Sequence, residues 1–260
     1  MICYTRGFED VILQRVFSDI PAGHYVDVGA STPVNDSTTY ALYQKGWRGV
    51  AVEPLPYEHL WRDCRPEDRF LNLAAGAEPG RTTLYVYDIA QQISTCSRNT
   101  VAHWLTGNNA PSRSLEVPVT TLNEIIQTYL CDREFHLLSI DVEGFELHVL
   151  RGIDLRKHRP WVVLVEAILP GCPIESHQAW EPCLTTADYE VAYFDGTNRF
   201  YLAKERRDLL DRFRLPPNVW DNFRMYKQIE LEQENLRLKA TVAALQNELA
   251  ARREDGGRGG

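Results

Sequence analysis

Four acids stand where buried apolar runs stop. Asp27 lies in the run Tyr25–Val28, and Glu53 follows Arg48–Val52. Asp141 ends Phe135–Ile140 with Glu143 just behind it, and Glu166 ends Trp161–Val165. Carboxylates gathered at one edge can accept from hydroxyl groups, balance a positive charge or take a proton. Asp141 and Glu143, in D-x-E-G, point into one crevice, where desolvation and mutual repulsion raise one of them toward a useful base. Glu143, Glu166 and Asp141 are therefore candidate bases. Asp141 and Glu166 can also hold a divalent cation that lowers the pKa of a bound hydroxyl. His177 is a further candidate base or ligand, although a histidine at a helix start commonly serves as a cap.

These acids need a frame that brings strand ends together. Tyr25–Pro54 reads as strand, tight turn, helix, strand. Such crossovers are right-handed, so the two strands lie parallel and adjacent, with both C-terminal ends on the edge where open α/β sheets bind ligands. The helix is expected over 35–46, capped by Ser37 or Asp36 and ended by Gly46. Gly29 lets the backbone approach a ligand, and the helix start offers N–H groups to an anion. The dinucleotide fingerprint G-x-G-x-x-G is absent: Ala30 and Ser31 follow Gly29. That argues against NAD or FAD and for a nucleoside without phosphates. Glu53 follows the glycine at roughly the 20-residue spacing at which an acid accepts from both ribose hydroxyls. S-adenosylmethionine (SAM) fits: its carboxylate takes the turn at Gly29, Ala30 and Ser31, its ammonium Asp27 or another carboxylate. A third strand, Arg69–Gly76, ends in small residues that leave room for adenine beside Ala74, and Asn72 can hydrogen-bond it. The plainer alternative is an α/β unit whose acids merely cap.

The 260 residues carry a net charge of −8 and a pI near 5.4, which weigh against a nucleic-acid partner. No apolar run approaches membrane-spanning length, and no signal peptide is visible after Met1. The six cysteines form no C-x-x-C, so neither zinc nor a disulfide framework is expected and a reducing cytosol is the default.

Along the remaining chain, helices are expected over 8–17, 57–65, 120–130, 145–152 and 177–187. Gly80–Asp88 and Leu115–Thr120 read as a paired β excursion. Between them, Ile93–Ser114 is polar and contains His103 and Trp104; it reads as a surface loop or a lid over substrate. Residues 189–196 and 198–205 form a hairpin. The expected units are a domain over 1–215, a linker and coiled-coil helix over 216–253, and a disordered tail over 254–260. Leu231, Leu238 and Leu245 are spaced by seven, with Gln228, Asn235, Val242 and Leu249 between them and Glu232, Glu234, Lys239 and Glu248 flanking. That is a heptad pattern, implying a homo-oligomer through 221–253 or a helix packed on its own domain.

YVDVGAS, GWRGVAVEPLP, NLAAG, LSIDVEGFELHVLRGID, RPWVVLVEA and YFDGTNRFYLA together resemble the FkbM family of SAM-dependent methyltransferases, from about Tyr25 to Lys204. The resemblance implies an α/β fold of the Rossmann-like class I methyltransferase type: a mostly parallel sheet with one antiparallel strand, here followed by the C-terminal coiled-coil helix. It implies Asp27, Gly29 and Ala30 at the methionine end of SAM, Glu53 on the ribose, Asn72 and Ala74 near adenine, and Asp141 under the sulfonium. It implies O-methylation, often of sugars or natural products. The GWRG, SHxAWEP and DGxNRFY segments look like those of members tied to bacterial surface-polysaccharide assembly, such as O-antigen. Asp36, His103, Trp180, Asn198 and Arg199, with Glu181, are the candidate acceptor contacts. A partner glycosyltransferase and a cytoplasmic location, peripheral at the inner membrane through partners, go with that reading. Phe145 departs from the small residue found in many members. The alternatives are a methyltransferase of a small natural product, and a coiled-coil scaffold or chain-length module with a degenerate SAM fold.

Overall fold

The computed structural model describes residues 1–87, 93–105, 109–131 and 133–256, without the side chains of Leu105 and of 248–256. Asp88, residues 106–108 of the expected loop, the side chains of Glu248 and Leu249, and the tail from 257 lie outside that description.

In chain order the elements are β1 (Ile2–Cys3), α1 (Glu9–Val16), β2 (His24–Val28), α2 (Tyr40–Gln44), β3 (Arg48–Val52), α3 (Glu58–Cys64), β4 (Arg69–Leu71), β5 (Ala74–Ala75) and β6 (Gly80–Val86). Then come α4 (Arg98–Leu105), β7 (Arg113–Thr120), α5 (Leu122–Tyr129), β8 (Leu137–Ile140), α6 (Glu146–Arg151), β9 (Val162–Glu166), α7 (Glu181–Thr185), β10 (Tyr189–Phe194), β11 (Asn198–Ala203), β12 (Arg224–Met225) and α8 (Tyr226–Gly256).

The central sheet has seven strands in the order β10-β11-β9-β8-β2-β3-β4. The pairs from β9 to β4 are all parallel, whereas β11 runs antiparallel to both β9 and β10. This is a mixed α/β fold with a largely parallel sheet. The parallel strands read as unbroken apolar runs because both faces are covered. Val163 and Val165 of β9 pack on one side with Ile125, Val149 and Leu184. Val162 and Leu164 pack on the other with Ile12, Leu13 and Phe213. The parallel register places the C-terminal ends of β2, β3, β8 and β9 on one edge, and Asn198 at the start of β11 sits opposite Glu166. β5, β7 and β6 form a separate three-stranded sheet, the expected excursion.

Several expectations need correction. α2 begins at Tyr40, and neither Ser37 nor Asp36 caps it: Ser37 accepts from Arg65, and Asp36 lies in left-handed backbone at φ 56°. The third strand breaks after Leu71, and Ala74–Ala75 joins the excursion sheet through β7. The expected loop over 93–114 contains the helix α4, whose Trp104 Nε1–H donates to the Pro170 carbonyl at 2.9 Å. The segment after Arg214 folds back on the body: Asp221 pairs with Arg15 at 3.1 Å, and β12 pairs with β1. Beyond its root, the described part of α8 does not pack on its own domain, since Leu231, Leu238, Val242 and Leu245 are each more than half exposed.

Candidate functional site

β3 delivers Glu53 to the sheet edge, and the chain around it fixes both carboxylate oxygens. Oε2 accepts the Ser31 N–H at 3.0 Å and Oε1 the Leu55 N–H at 2.8 Å. Burial is the larger influence and pushes the pKa up to about 7, although the two N–H groups favour the ionised form. Beside Glu53 lies a cleft whose empty space, part of it open to solvent, is about 510 Å³. Gly29, Ser31, Asp141 and Phe145 line one part of it, Leu73, Ala74 and Leu84 another. The hydroxyls of Ser31 and Ser94 are enclosed here and have no hydrogen-bond partner among the described residues. A space with an anchored carboxylate, two orphaned hydroxyls and an apolar slot fits a nucleoside-bearing ligand.

Asn72 lies behind this cavity rather than in it. Its Nδ2 donates to the carbonyls of Glu53, Pro54 and Leu55 at 3.1, 2.9 and 2.8 Å. These bonds hold the loop that carries Glu53, and Asn72, expected near adenine, does not line the cavity. Gly29 is also needed for a reason other than the one expected. Its φ is +80°, and a Cβ there would fall 1.7 Å from the Asp141 carbonyl oxygen. The glycine admits the neighbouring strand end, and thereby sets Asp141 beside the cavity.

Asp27 points into a buried polar layer beneath the edge. It accepts from Thr39 Oγ1 at 2.7 Å. Thr39 in turn accepts from Arg65, which is fully buried and pairs with Asp68 at 2.7 Å. Burial raises the Asp27 pKa, with Thr39 and Arg65 opposing. Asp27 is thus tied to the start of α2 and is not in the cavity wall. Ala30 packs against Trp61. Arg65 went unnoticed in the sequence because a lone arginine in a helical stretch reads as solvent-exposed.

Asp141, Glu143 and Glu166 come together. One carboxylate oxygen from each lies within 4.8 Å of the others. Glu143 sits at φ 55° and Gly144 at φ 91°, a left-handed turn that aims the Glu143 side chain back over the strand end. The turn is held from both sides. The Glu143 carbonyl accepts from Thr95 Oγ1 at 2.7 Å and Thr100 Oγ1 at 3.0 Å. Glu146 Oε1 accepts the Gly144 N–H at 2.9 Å. Glu166 is buried, and its Oε2 has no hydrogen-bond partner among the described residues. Desolvation raises all three pKa values, and repulsion among the acids adds to it. Asp141 is the most exposed of the three and Glu166 the most enclosed. Repulsion on Asp141 comes first from Glu146 and then from Glu9 at the start of α1. Glu9 accepts from Asn198 Nδ2 at 2.8 Å, so Asn198 links Glu9 to the strand end opposite Glu166. Glu146 stands in the LSIDVEGFELHVLRGID segment without a role assigned to it, and Glu9, Thr95 and Thr100 lay outside the sequence reading. No local pattern marks Glu9, Thr95 and Thr100, because only the fold brings them to this edge.

The remaining candidates lie elsewhere. His177 Nδ1 stands 3.1 Å from Glu175 and its Nε2 3.8 Å from Glu181. Arg199 bridges Glu181 at 3.0 Å and Glu175 at 2.8 Å, and the Tyr201 hydroxyl donates to Glu181 at 2.9 Å. His177 and Arg199 therefore brace the 175–181 segment against β11. Asp36 pairs with Arg6 at 3.1 Å. His103 and Trp180 do share a space, a second cleft between α4, the 144–148 turn and the loop after β9, whose empty space, part of it open to solvent, is about 1130 Å³.

The sequence matches the family model described as the Methyltransferase FkbM domain over residues 27–191. The matched stretch runs from β2 into β10 and includes Glu53 and the three clustered carboxylates. Comparison with curated proteins and with solved structures returns no match.

Proposed function

Because the chain belongs to the FkbM methyltransferase family, we propose that it is a SAM-dependent O-methyltransferase acting on a sugar hydroxyl of a bacterial surface polysaccharide or glycolipid. The observation that carries the reading is one juxtaposition. The cavity anchored by Glu53 opens beside the carboxylates of Asp141, Glu143 and Glu166. The strand order, with β11 antiparallel between β9 and β10, supports the class I methyltransferase form of the fold.

In this reading Glu53 accepts from the two ribose hydroxyls, its orientation set by Ser31 and Leu55. Ala74, Leu73 and Leu84 receive the adenine. The turn at Gly29 and Ser31 faces the methionine end. When bound, SAM supplies a methyl group on a positively charged sulfur. A sugar hydroxyl is a weak nucleophile and needs both alignment and a base at hydrogen-bond distance. A carboxylate of the Asp141–Glu143–Glu166 group accepts the hydroxyl proton as the oxygen–methyl bond forms. The methyl–sulfur bond breaks with its electron pair left on sulfur. The turn braced by Thr95, Thr100 and Glu146 holds Glu143 in place for that step, which limits the reorganisation needed during the reaction. The donor set of three hard oxygen ligands also suits a divalent cation, for which Asp141 and Glu166 would be the main ligands and Glu143 a third. Such an ion would lower the pKa of a bound hydroxyl. The second cavity, with His103 and Trp180 in its wall, is where the acceptor's remaining sugars lie. The location is cytoplasmic, beside a glycosyltransferase that supplies the acceptor.

Incubation with isotope-labelled SAM and a panel of candidate glycans, read by mass spectrometry, tests this. A labelled methyl ether on a sugar supports it. Label on nitrogen, carbon or a non-carbohydrate acceptor only would refute the acceptor class.

A further inference from the structure

α8 is the one long element whose residues the fold does not absorb. Its 31 residues extend roughly 46 Å at the α-helical rise. Its root is fixed to the body. Arg224 pairs with Ile2 in β1, the Phe223 ring lies 5.5 Å from Phe8, and the Tyr226 ring lies 4.9 Å from Tyr4. Beyond the first turns the helix stands in solvent, with Leu231, Leu238, Val242 and Leu245 more than half exposed. Those four fall on one stripe, leucine at each d position and Val242 at a.

We propose that α8 pairs with α8 of a second copy of this chain as a parallel, in-register, two-stranded coiled coil. Charge decides both the occupant and the direction. In a parallel pair each g position faces the e position five residues later on the other helix. Here g is Lys227 and e is Glu232; one heptad on, g is Glu234 and e is Lys239. Both contacts are attractive, and each occurs twice by symmetry. The third, Thr241 with Gln246, is neutral. No like charges meet along these three steps, so the helix complements itself.

Asn235 at a points the same way. In the single chain its Nδ2 donates to the Leu231 carbonyl at 2.9 Å, at an exposed site. A parallel register sets Asn235 against Asn235, where two amides can satisfy each other. An antiparallel register would set it against a leucine and leave the amide buried without a partner. Leucine at d with β-branched Val242 at an a position favours two strands. Parallel pairing also places both catalytic bodies at the same end of the stalk.

Sedimentation equilibrium of the full chain tests the proposal across a range of concentrations. The expected result is a reversible dimer of twice the 29.8 kDa chain mass. Leu238→Glu should give a monomer. Lys239→Glu should weaken the dimer about tenfold, since two attractive contacts become repulsive, and adding Glu234→Lys should restore it. Asn235→Cys should form a covalent dimer under mild oxidation, while the parent chain with its native cysteines does not. Circular dichroism and melting of each variant separate lost pairing from lost folding. A monomer at every concentration overturns the proposal, as does a dimer that survives Leu238→Glu. A dimer abolished by Leu238→Glu whose Asn235→Cys form does not cross-link overturns the parallel register. None of these readouts depends on methyl transfer, so the two proposals fail separately.

Discussion

Glu53 owes its behaviour to two opposed influences: burial, which favours the neutral acid, and two backbone N–H groups, which favour the carboxylate. Burial wins and places the pKa about 7. The sign of the consequence differs for folding and for binding. The folded pKa is above the ordinary carboxyl value near 4.3, so this group's contribution to stability is greatest in acid. It is lost as pH rises from that value through about 7. Binding runs the other way, because only the carboxylate accepts from both ribose hydroxyls. SAM affinity measured by calorimetry should therefore rise with pH and level off above about 7. The slope should approach about tenfold per pH unit on the acid side. Glu53→Gln should flatten that profile, and a wild-type profile that is already flat would contradict the assignment. Glu143 has a separate role. Glu143→Gln should leave SAM affinity within error and lower kcat by roughly 10²–10⁴, the usual worth of a positioned base. Equal loss of binding and turnover would move Glu143 out of the chemical step.

Among the elements, the site depends on how closely β2 and β8 end together. Gly29 permits that approach, and any Cβ at its φ of +80° meets the Asp141 carbonyl. Gly29→Ala should cost about 3 kcal/mol or more, from backbone strain and overpacking together. The check is denaturant unfolding of wild type and variant. A change below about 1 kcal/mol would mean that the strand ends separate easily, and that the cavity is not preorganised. The strands were the most legible part of the chain, because double-sided burial writes continuous apolar runs that stop at acids. The clustering of Asp141, Glu143 and Glu166 followed from those stops and from parallel pairing. α4 was not legible. Its sequence is polar and flanked by Asn and Gly, and it is held in place by distant partners, Trp104 on Pro170 and Thr100 on the Glu143 carbonyl. Asn72 and Asp27 are ambiguous for a related reason. A polar residue near a strand end can face the ligand or the scaffold, and spacing alone does not distinguish the two. Here three carbonyls claim Asn72, and Thr39 claims Asp27.

At the scale of the molecule, a family domain carries the site and a charged, leucine-striped helix rises from its root. The two are separable in function. The site is built from residues 9–198, and no described side chain of α8 lies in it. Ending the chain after the first turns of α8, which keeps β12 on β1, should leave SAM affinity unchanged and abolish the dimer. Loss of SAM binding on that truncation, with folding intact, would make the helix part of the site. The account as a whole rests on the cavity beside Glu53 being a SAM site. Calorimetric titration of SAM into the full chain and into Glu53→Ala measures this directly. The prediction is saturable one-to-one binding to the wild type and about 100-fold weaker binding to the variant, as two hydrogen bonds to a charged group would give. No binding to a folded wild type, or equal binding to both, would contradict it.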